Sequence, residues 1–430
     1  MQYDVAVIGS GWAGFNAALK AKTLGLEVCL IEKSQIGGTC LNSGCIPTKA
    51  LLQSAKAFSN SKKSSIFGIE ESQPKVNFSK VQERKDKIIS QLRLGMNSML
   101  KGIDFLSASA QIIASDEIKI GAETIKAKSI IIATGSSPIE LSQFKFDKQK
   151  ILSSDDILEL KLVPDSILIV GGGFIGCEFA SLFSALGSRV TVVEKMPQIL
   201  PGEDKEIVKK IETIFKKKGI KIHTGTDASS LNLNDYTLVL VCVGRAPRIE
   251  GLGLDTLGMK IDRKRIVVDE YLRTSIPNIY AAGDCTGKIM LAHYAAYQGR
   301  IASGNIASPE NQKKADNQNV PSCIFTDPEI ASVGIKEEDA KIKGMDIIIN
   351  KFDFLGSGMA RILDETEGFI KIISDKNSRR LLGASIIGPK ATELIAGLTL
   401  ALTNGLTIPQ IKDTIFAHPT LSESIHEALG

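Results

Sequence analysis

Hydrophobic residues form short continuous runs at the start of the chain, and glycines follow them. The run at 3–8 predicts a buried strand, the glycines after it a tight turn, and the alanine-rich stretch beyond them a helix. A second apolar run at 27–31 ends at Glu32. This order of strand, glycine turn, helix and strand predicts a βαβ unit with parallel strands.

The same pattern returns in the middle of the chain. An apolar run at 167–170 precedes glycines and a helix, and the strand predicted at 189–193 leads to Glu194. The first glycine and the acidic residue are separated by 32 − 9 = 23 positions in the first copy and by 194 − 171 = 23 in the second. The glycines of the two copies are Gly9, Gly11 and Gly14, and Gly171, Gly173 and Gly176. Two units in equal register predict two separate dinucleotide sites.

Each part of this fingerprint has a physical role. The first glycine permits the tight turn, the second allows a pyrophosphate to approach the backbone, and the third packs the helix against the strand. The positive end of the helix attracts the phosphate charge. The acidic residue accepts hydrogen bonds from the adenosine ribose, and Glu194 would repel a 2′-phosphate. The second site is therefore predicted to prefer NAD over NADP.

Two cysteines, Cys40 and Cys45, follow directly on the first unit. A thiol pair at the edge of a nucleotide cofactor can move two electrons, and in a cytosolic chain it is more often catalytic than structural. On an ideal helix these two positions point about 140° apart, with Cα atoms roughly 8 Å apart. A disulfide needs Cα atoms within about 7 Å. We expect Gly44 to distort the helix and allow closure of a redox-active disulfide.

Composition narrows the function classes. The 430 residues indicate two to four domains, and 52 basic against 48 acidic residues leave a net charge of +4 without a basic stripe, so nucleic-acid binding is not expected. Seven scattered cysteines are not a secreted disulfide framework, and Cys and His show no metal-site spacing. The apolar stretch 167–186 contains glycines and Glu178, which argues against a membrane span. Because the chain begins at once with a strand pattern, we expect no targeting peptide and a cytoplasmic location.

The remaining segments predict further elements. In chain order these are a solvated loop at 59–65, a long amphipathic helix at 78–100, buried strands at 130–133, 239–243 and 279–282, a polar linker at 308–319 and, from 320 onward, an α+β region with no third fingerprint. That last region is suited to another task, such as pairing two subunits.

Several motifs together resemble a known family, the class I pyridine nucleotide-disulfide oxidoreductases. The matching segments span essentially the whole chain: 37–49, 133–138, 171–178, 243–247, 281–284, 290–293, 326–329 and 417–423. Within that family, the wording Cys-Leu-Asn-Ser-Gly-Cys-Ile-Pro-Thr-Lys is most similar to the dihydrolipoyl dehydrogenases. The chain lacks the C-terminal cysteine pairs of mercuric reductases and large thioredoxin reductases.

The resemblance implies an α/β fold with two Rossmann-like dinucleotide-binding domains, for FAD and NAD, and a C-terminal α+β dimerisation domain. Its expected boundaries are 1–145 for the first part of the FAD-binding domain, 146–269 for the NAD-binding domain, 270–312 for the returning FAD segment and 313–430 for the dimerisation domain. It also implies roles for individual residues. Cys40 would exchange with substrate, Cys45 would contact the flavin, and Lys49 would lie beside the flavin, paired with Glu178.

The same resemblance implies further site residues. The expected cofactor contacts outside the fingerprints are Gly38, Thr39, Thr134, Gly135, Gly244, Asp284 and Ala292. His418 would be the acid/base, with Glu423 as its partner, although 420–423 is also a capping box that could open the last helix. Two departures stand out. Phe416 occupies the place of a frequent second histidine, and the stretch 222–239 is too short for the usual β-meander.

The implied reaction is oxidation of a protein-bound dihydrolipoyl group with reduction of NAD⁺. The implied partners are a second copy of the chain and the lipoyl domain of a 2-oxoacid dehydrogenase acyltransferase or a glycine-cleavage carrier. Two alternatives stay open: a related disulfide reductase with another substrate, and a component of a complex that kept the fold without catalysis.

Overall fold

The computed structural model describes residues 2–70 and 74–430. In this part of the chain the strands form five sheets, of which three are large. The first two large sheets carry the parallel βαβ units, and the third is antiparallel. The α/β class expected from the sequence is confirmed. The domain boundaries given above stay predictions.

The first large sheet positions the first fingerprint. Its strands, in spatial order, are Asp104–Ser107, Val28–Glu32, Gln2–Ile8, Glu123–Ile132, Glu117–Ile120 and Ala110–Ala114, and Ile279–Ala281 pairs with Glu123–Ile132. The central strand is parallel to both of its neighbours, with Ile8 paired to Ile31 and to Ile132. The carboxyl ends of these strands therefore meet at one edge, where Gly9 and Glu32 follow.

The second large sheet repeats this arrangement. Its strands, in spatial order, are Lys221–His223, Arg189–Val193, Ser166–Val170, Leu238–Val241 and Ile151–Ser153, and all pairs are parallel. Among the described residues between Lys221–His223 and Leu238–Val241 there are two 3₁₀ turns and no strand. This agrees with the short connection expected from the sequence.

The third large sheet belongs to the C-terminal region. Its strands, in spatial order, are Ser322–Ile324, Glu329–Gly334, Leu381–Gly388, Phe369–Asp375 and Ile347–Asp353. Two small sheets pair Ser136–Pro138 with Arg245–Pro247 and Ile261–Asp262 with Arg265–Ile266. Lys371, 1% exposed, donates from the third sheet to Asp204 at 2.8 Å, so a buried ion pair joins this region to the second unit.

The helices cover the sheets. The α-helices are Trp12–Thr23, Gly38–Asn42, Cys45–Ser61, Phe78–Met99, Phe174–Ala185, Lys205–Lys217, Ala292–Ala307, Glu337–Ile342, Gly358–Ile362, Ala391–Thr403, Ile408–Lys412 and Glu423–Glu427. The 3₁₀ helices are Ser64–Phe67, Asp156–Glu159, Ala228–Ser230, Leu233–Asp235, Asp284–Thr286, Pro309–Asn311 and Phe354–Gly356. No helix among residues 2–70 and 74–430 is both long and apolar enough to cross a membrane.

The loop expected at 59–65 is wrong. The helix Cys45–Ser61 extends through its first residues, and Ser64–Phe67 forms a 3₁₀ turn. Serine and asparagine favour turns, but here they occupy the outer face of a helix whose other face is buried. Tertiary packing of that face outweighs the local preference.

Candidate active site

One large cavity joins the two dinucleotide fingerprints. Its volume is about 1990 Å³, and it lies at the carboxyl ends of the parallel strands that carry the two fingerprints. The residues proposed from the sequence that line it are Gly9, Gly11, Glu32, Gly38, Thr39, Cys40, Cys45, Lys49, Thr134, Gly135, Gly171, Gly173, Glu178, Glu194, Gly244, Asp284 and Ala292. Gly14 and Gly176 lie on the helices behind it, packed against the first glycine of each turn. Most of the proposed site residues thus meet in one space.

The cysteine segment is a helix interrupted in the middle. Gly38–Asn42 ends before Ser43, and a new helix begins at Cys45. Gly44 makes the break with φ −148° and ψ −114°, and a Cβ atom there would lie 2.9 Å from the Thr39 carbonyl oxygen. The interruption expected at Gly44 is present, and it lets the Cys40 thiol donate a hydrogen bond to the Cys45 sulfur.

The two sulfur atoms have opposite electrostatic properties. The pKa of Cys45 is lowered to about 7: the hydrogen bond from Cys40 is the largest cause, burial opposes it, and the nearby Lys49 ammonium also lowers the pKa. The same hydrogen bond raises the pKa of Cys40 far above its ordinary value, and burial adds to the increase. In the reduced pair the negative charge therefore resides on Cys45 and the proton on Cys40.

Lys49 and Glu178 form an ion pair next to the cysteine pair. The Lys49 Nζ atom lies 2.7 Å from a Glu178 oxygen, and Glu178 is 4% exposed. The Phe325 amide N–H donates to the same carboxylate at 2.9 Å, and the Lys49 ammonium lies 4.7 Å from the centre of the Phe325 ring. The second fingerprint helix thus supplies the anion that holds a cation next to the cysteine pair.

The acidic residue of each fingerprint is held by its own glycine turn. Glu32 accepts from the Ser10 amide and hydroxyl at 2.8 Å each, and Glu194 accepts from the Gly172 amide at 2.7 Å. Hydrogen bonds from these donors offset the free-energy cost of removing the two carboxylates from water, so the carboxylates stay at the cavity wall.

A polar cluster at the returning segment was not predicted in full. Asp284 follows the strand Ile279–Ala281, and the Ser136 hydroxyl donates to it at 2.5 Å. Arg245 donates to the Ser136 hydroxyl at 2.9 Å and to Asp155 at 3.4 Å. Burial raises the pKa of Asp284. Sequence reasoning missed Ser136, Arg245 and Asp155 because no spacing signals a contact made across three distant segments.

Two other proposed positions have plain local geometry. The Thr134 hydroxyl donates to the Arg248 carbonyl at 2.6 Å, and Ala292 is the first residue of the helix Ala292–Ala307. His293, which follows it, lies 2.9 Å from the Pro321 carbonyl oxygen, and burial lowers its pKa.

His418 and Glu423 lie away from the cavity. The His418 Nδ1 atom is 2.9 Å from a Glu423 oxygen, and the His418 side chain is 82% exposed. The other Glu423 oxygen accepts from the Thr420 amide at 2.8 Å. This hydrogen bond is the main reason that the pKa of Glu423 is lowered. Glu423 therefore makes both the histidine contact and one half of the expected capping box. Neither residue lines the cavity of its own chain.

Phe416 takes part in packing in place of the frequent second histidine. Its ring meets the imidazole of His426 edge-on, with centroids 5.7 Å apart. His426 lies on the last helix, Glu423–Glu427, so Phe416 connects the His418 loop to that helix.

Comparisons with known proteins identify the family. Residues 3–299 match the pyridine nucleotide-disulphide oxidoreductase family, and residues 320–429 match the dimerisation domain of the same family. The chain therefore belongs to the pyridine nucleotide-disulfide oxidoreductases. Membership of this family implies FAD and NAD(H) as cofactors.

Individual relatives and solved structures show which members of the family the chain is similar to. The chain is 42% identical to the dihydrolipoyl dehydrogenase of Chlamydia muridarum, covering 98% of this chain and 95% of that protein. It is 39% identical to a dihydrolipoyl dehydrogenase of Bacillus subtilis, with coverage of 99% and 97%. Among solved structures, LpdA from Mycobacterium tuberculosis matches with a TM-score of 0.92 at 27% identity, covering 100% of this chain and 99% of that one. The HOCl-induced flavoprotein disulfide reductase RclA from Escherichia coli matches with a TM-score of 0.89 at 29% identity, covering 99% of each.

The residues present fit two dinucleotides. A Cβ atom at Gly173 would have no neighbour within 4 Å, and one at Gly11 would have only the Gly38 Cα atom, at 3.9 Å. A phosphate can therefore approach the start of both helices. Each turn is paired with a carboxylate suited to a ribose. The cysteine pair lines the same cavity as the two turns.

Proposed function

We propose that this chain is a dihydrolipoyl dehydrogenase, which oxidises a protein-bound dihydrolipoyl group and reduces NAD⁺ to NADH. The observation that carries the proposal is the hydrogen-bonded pair Cys40 and Cys45 in the cavity shared by both fingerprints. Relatives of this name match at about 40% identity over nearly the whole chain, and this favours a lipoyl substrate over other disulfides.

The cofactor sites are assigned by their residues. Gly9, Gly11, Glu32 and Asp284 would hold FAD, together with Gly38, Thr39, Thr134, Gly135 and Ala292. Gly171, Gly173, Glu194 and Gly244 would hold NAD. A bound flavin would supply the electron-accepting and hydride-donating chemistry between the cysteine pair and the nicotinamide.

The first exchange opens the cysteine disulfide. A substrate thiolate attacks the Cys40 sulfur, the Cys40–Cys45 bond breaks, and its electron pair stays on Cys45. Cys45 is the favourable leaving group because the nearby Lys49 ammonium stabilises its thiolate. Glu178 holds that ammonium in place at 2.7 Å.

The second exchange closes the lipoyl ring. The other substrate thiolate attacks the substrate sulfur bound to Cys40, and the electron pair of the broken bond goes to Cys40. A proton then restores the Cys40 thiol, which donates to Cys45 as the described geometry has it. The chain is left with both cysteines reduced.

His418 supplies the proton transfers from a second copy of the chain. Its exposed imidazole does not line the cavity of its own chain, and the C-terminal match to a dimerisation domain supports a homodimer. Glu423 accepts from Nδ1, which leaves Nε2 as the base for the substrate thiol. The imidazole takes the proton of the attacking thiol in the first exchange and releases it to solvent. In the second exchange it takes the proton of the other substrate thiol and gives that proton to the departing Cys40 sulfur.

The partner of the enzyme is the lipoyl domain of a 2-oxoacid dehydrogenase acyltransferase or of a glycine-cleavage carrier. A carrier with a swinging thiol arm can bring a dithiol to a cysteine pair inside a cavity. A cytoplasmic location belongs to the same proposal, since five further cysteines lie unpaired, most of them in the core.

The proposal is tested with the purified flavoprotein. Steady-state NADH formation is measured with dihydrolipoamide, and we expect Cys45→Ser to abolish it while the flavin stays bound. Cys323→Ser is the matched control, because this thiol lines the same cavity but stands outside the cysteine pair, with a 3.9 Å contact to the Thr392 carbonyl. Undiminished turnover by Cys45→Ser would refute the assignment.

The same purified protein distinguishes two alternative functions from the proposed one. Turnover with glutathione disulfide or mercuric ion, and none with lipoamide, would favour a related reductase with another substrate. RclA, at 29% identity, shows that the fold also serves a protein described as a different disulfide reductase. A colourless protein, or one whose flavin NADH cannot reduce, would favour a non-catalytic component.

A further inference from the structure

Asp227 lines the large cavity close to the acidic residue of the second fingerprint, and the proposed function assigns it no role. It belongs to the short connection between the strands Lys221–His223 and Leu238–Val241. Glu194 and Lys195 line the same cavity. A second carboxylate and an ammonium therefore accompany Glu194 on the part of the wall where the adenosine ribose of NAD is assigned.

Backbone hydrogen bonds hold this connection against the residues that end the neighbouring strand. The Thr226 amide donates to the Glu194 carbonyl at 3.1 Å, and the Gly225 amide donates to the Met196 carbonyl at 2.8 Å. The two segments therefore leave the sheet side by side. Asp227 comes directly after these bonded residues, so its backbone is fixed next to the segment that carries Glu194.

The Asp227 carboxylate has a different neighbour on each oxygen. One oxygen accepts from the Ser229 amide at 3.0 Å and from the Ser229 hydroxyl at 2.8 Å, which caps the 3₁₀ helix Ala228–Ser230. The bond from the amide is the main reason that the pKa of Asp227 is lowered, so the carboxylate is charged at neutral pH. The other oxygen lies 3.8 Å from the Lys195 Nζ atom. Because the Lys195 side chain is 83% exposed, packing does not fix the position of its ammonium.

We propose that Asp227 is a specificity-determining residue, whose carboxylate keeps the Lys195 ammonium from binding the 2′-phosphate of NADP. This inference deepens the proposed function and rests on its assignment of NAD to the second fingerprint. A lysine beside the ribose is a point charge suited to a phosphate. Without a counter-charge it would offset the repulsion that Glu194 exerts on the 2′-phosphate, and Asp227 supplies that counter-charge.

The physical reason is the balance of charge around the ribose. Glu194, Lys195 and Asp227 are the charged side chains among residues 194–196 and 224–228, and they leave one excess negative charge. A neutral residue at position 227 would leave Glu194 and Lys195 alone, with no excess charge. NAD carries a neutral hydroxyl at this place, whereas a phosphate group brings about 1.5 to 2 negative charges at pH 7. Unfavourable charge against the wrong ligand is one way in which a site becomes specific.

The test measures the dissociation constants of NAD⁺ and NADP⁺ for the oxidised holoenzyme by isothermal titration calorimetry. Asp227→Asn removes the charge and keeps an oxygen that can accept from Ser229 and cap the turn. An exposed ion pair changes a binding constant by at most about fivefold, so we expect the constant for NADP⁺ to fall by about that factor at low salt. The constant for NAD⁺ should change little. Salt screens exposed charges, so the gain should shrink at high salt.

Two further variants show whether Lys195 carries the effect. In a Lys195→Met background, Asp227→Asn should improve NADP⁺ binding much less, because no ammonium is left to bind the phosphate. An equal gain in that background would contradict the proposal. Asp235→Asn is the matched control, since it removes the same charge from the same connection at a residue that does not line the cavity. It should leave the ratio of the two dissociation constants unchanged, and a gain equal to that of Asp227→Asn would also contradict the proposal.

Binding of NAD⁺ to the wild-type protein tests the assignment on which the inference rests. If NAD⁺ does not bind, the assigned NAD site is wrong and the role of Asp227 falls with it. If NAD⁺ binds and Asp227→Asn leaves the NADP⁺ constant unchanged, the role of Asp227 alone is overturned. Neither result depends on dihydrolipoamide, so both are independent of whether the chain turns over a lipoyl substrate.

Discussion

The charge of the Lys49–Glu178 pair should tune the acidity of Cys45 in two opposite directions. Lys49 lowers the pKa of Cys45 and Glu178 raises it. We therefore expect Lys49→Met to raise this pKa above about 7, so that less thiolate is present at neutral pH. Glu178→Gln should lower it, so that the thiolate persists into more acidic solution.

The structure sets the size of the effect. A cation within about 4–6 Å lowers the pKa of an anionic group by about 1–3 units. Lys49 is partly neutralised by Glu178 at 2.7 Å, so we expect the lower end of that range, about one unit, for Lys49→Met. The effect of Glu178→Gln should be smaller, because Lys49 affects the pKa of Cys45 more strongly than Glu178 does.

The double variant is the matched control. Lys49→Met alone leaves a carboxylate that is 4% exposed without its cation, which typically costs about 3–5 kcal/mol of stability. Lys49→Met with Glu178→Gln removes both charges, so the pKa of Cys45 should return toward its original value and the stability should recover in part.

The assay is a pH titration of the half-reduced holoenzyme, in which a long-wavelength absorbance band reports a thiolate against the flavin. Midpoints that shift in the same direction for both single variants would refute the reasoning. So would a double variant whose midpoint lies outside those of the two single variants.

Three further predictions follow from other parts of the molecule. If His418 acts from a second copy, a purified heterodimer of Cys45→Ser and His418→Gln chains should regain about half of the wild-type turnover, since one of its two sites is intact; an inactive heterodimer would contradict this. Glu194→Ser should narrow the preference for NADH over NADPH in kcat/KM by removing the charge opposite a 2′-phosphate, and an unchanged ratio would argue against the assigned NAD site. Lys371→Met should lower the free energy of unfolding in denaturant titration by about 3–5 kcal/mol, because it leaves buried carboxylates unpaired, whereas Lys351→Met, at an exposed pair, should cost at most about 1 kcal/mol; equal losses would contradict the burial argument.

Much of the fold could be predicted from the chain alone. Both βαβ units lie where the periodicity placed them, because continuous apolar runs bounded by glycines are typical of buried parallel strands. The helix expected at 78–100 is observed at Phe78–Met99. The failure at 59–65 came from residues with ambiguous preferences, since serine and lysine suit either a loop or the outer face of a helix.

The candidate site was predicted unevenly. Residues that belong to compact motifs, such as Cys40 with Cys45, were found because their spacing along the chain reflects a local geometry. Arg245 was missed as a site residue, although it stands inside a motif that was recognised. Its partner, Ser136, lies on a distant segment that only folding brings close.

The amino-acid sequence by itself determined the repeated nucleotide-binding units, the redox cysteine pair and the family, because these depend on residue types at short, regular spacings. The tertiary structure decided which charges lie near the cysteine pair: the Lys49 ammonium, held by Glu178, beside Cys45. It also showed that His418 lies outside the cavity of its own chain. The physical reason is that electrostatic effects depend on distances of a few ångströms between segments that can be more than a hundred residues apart.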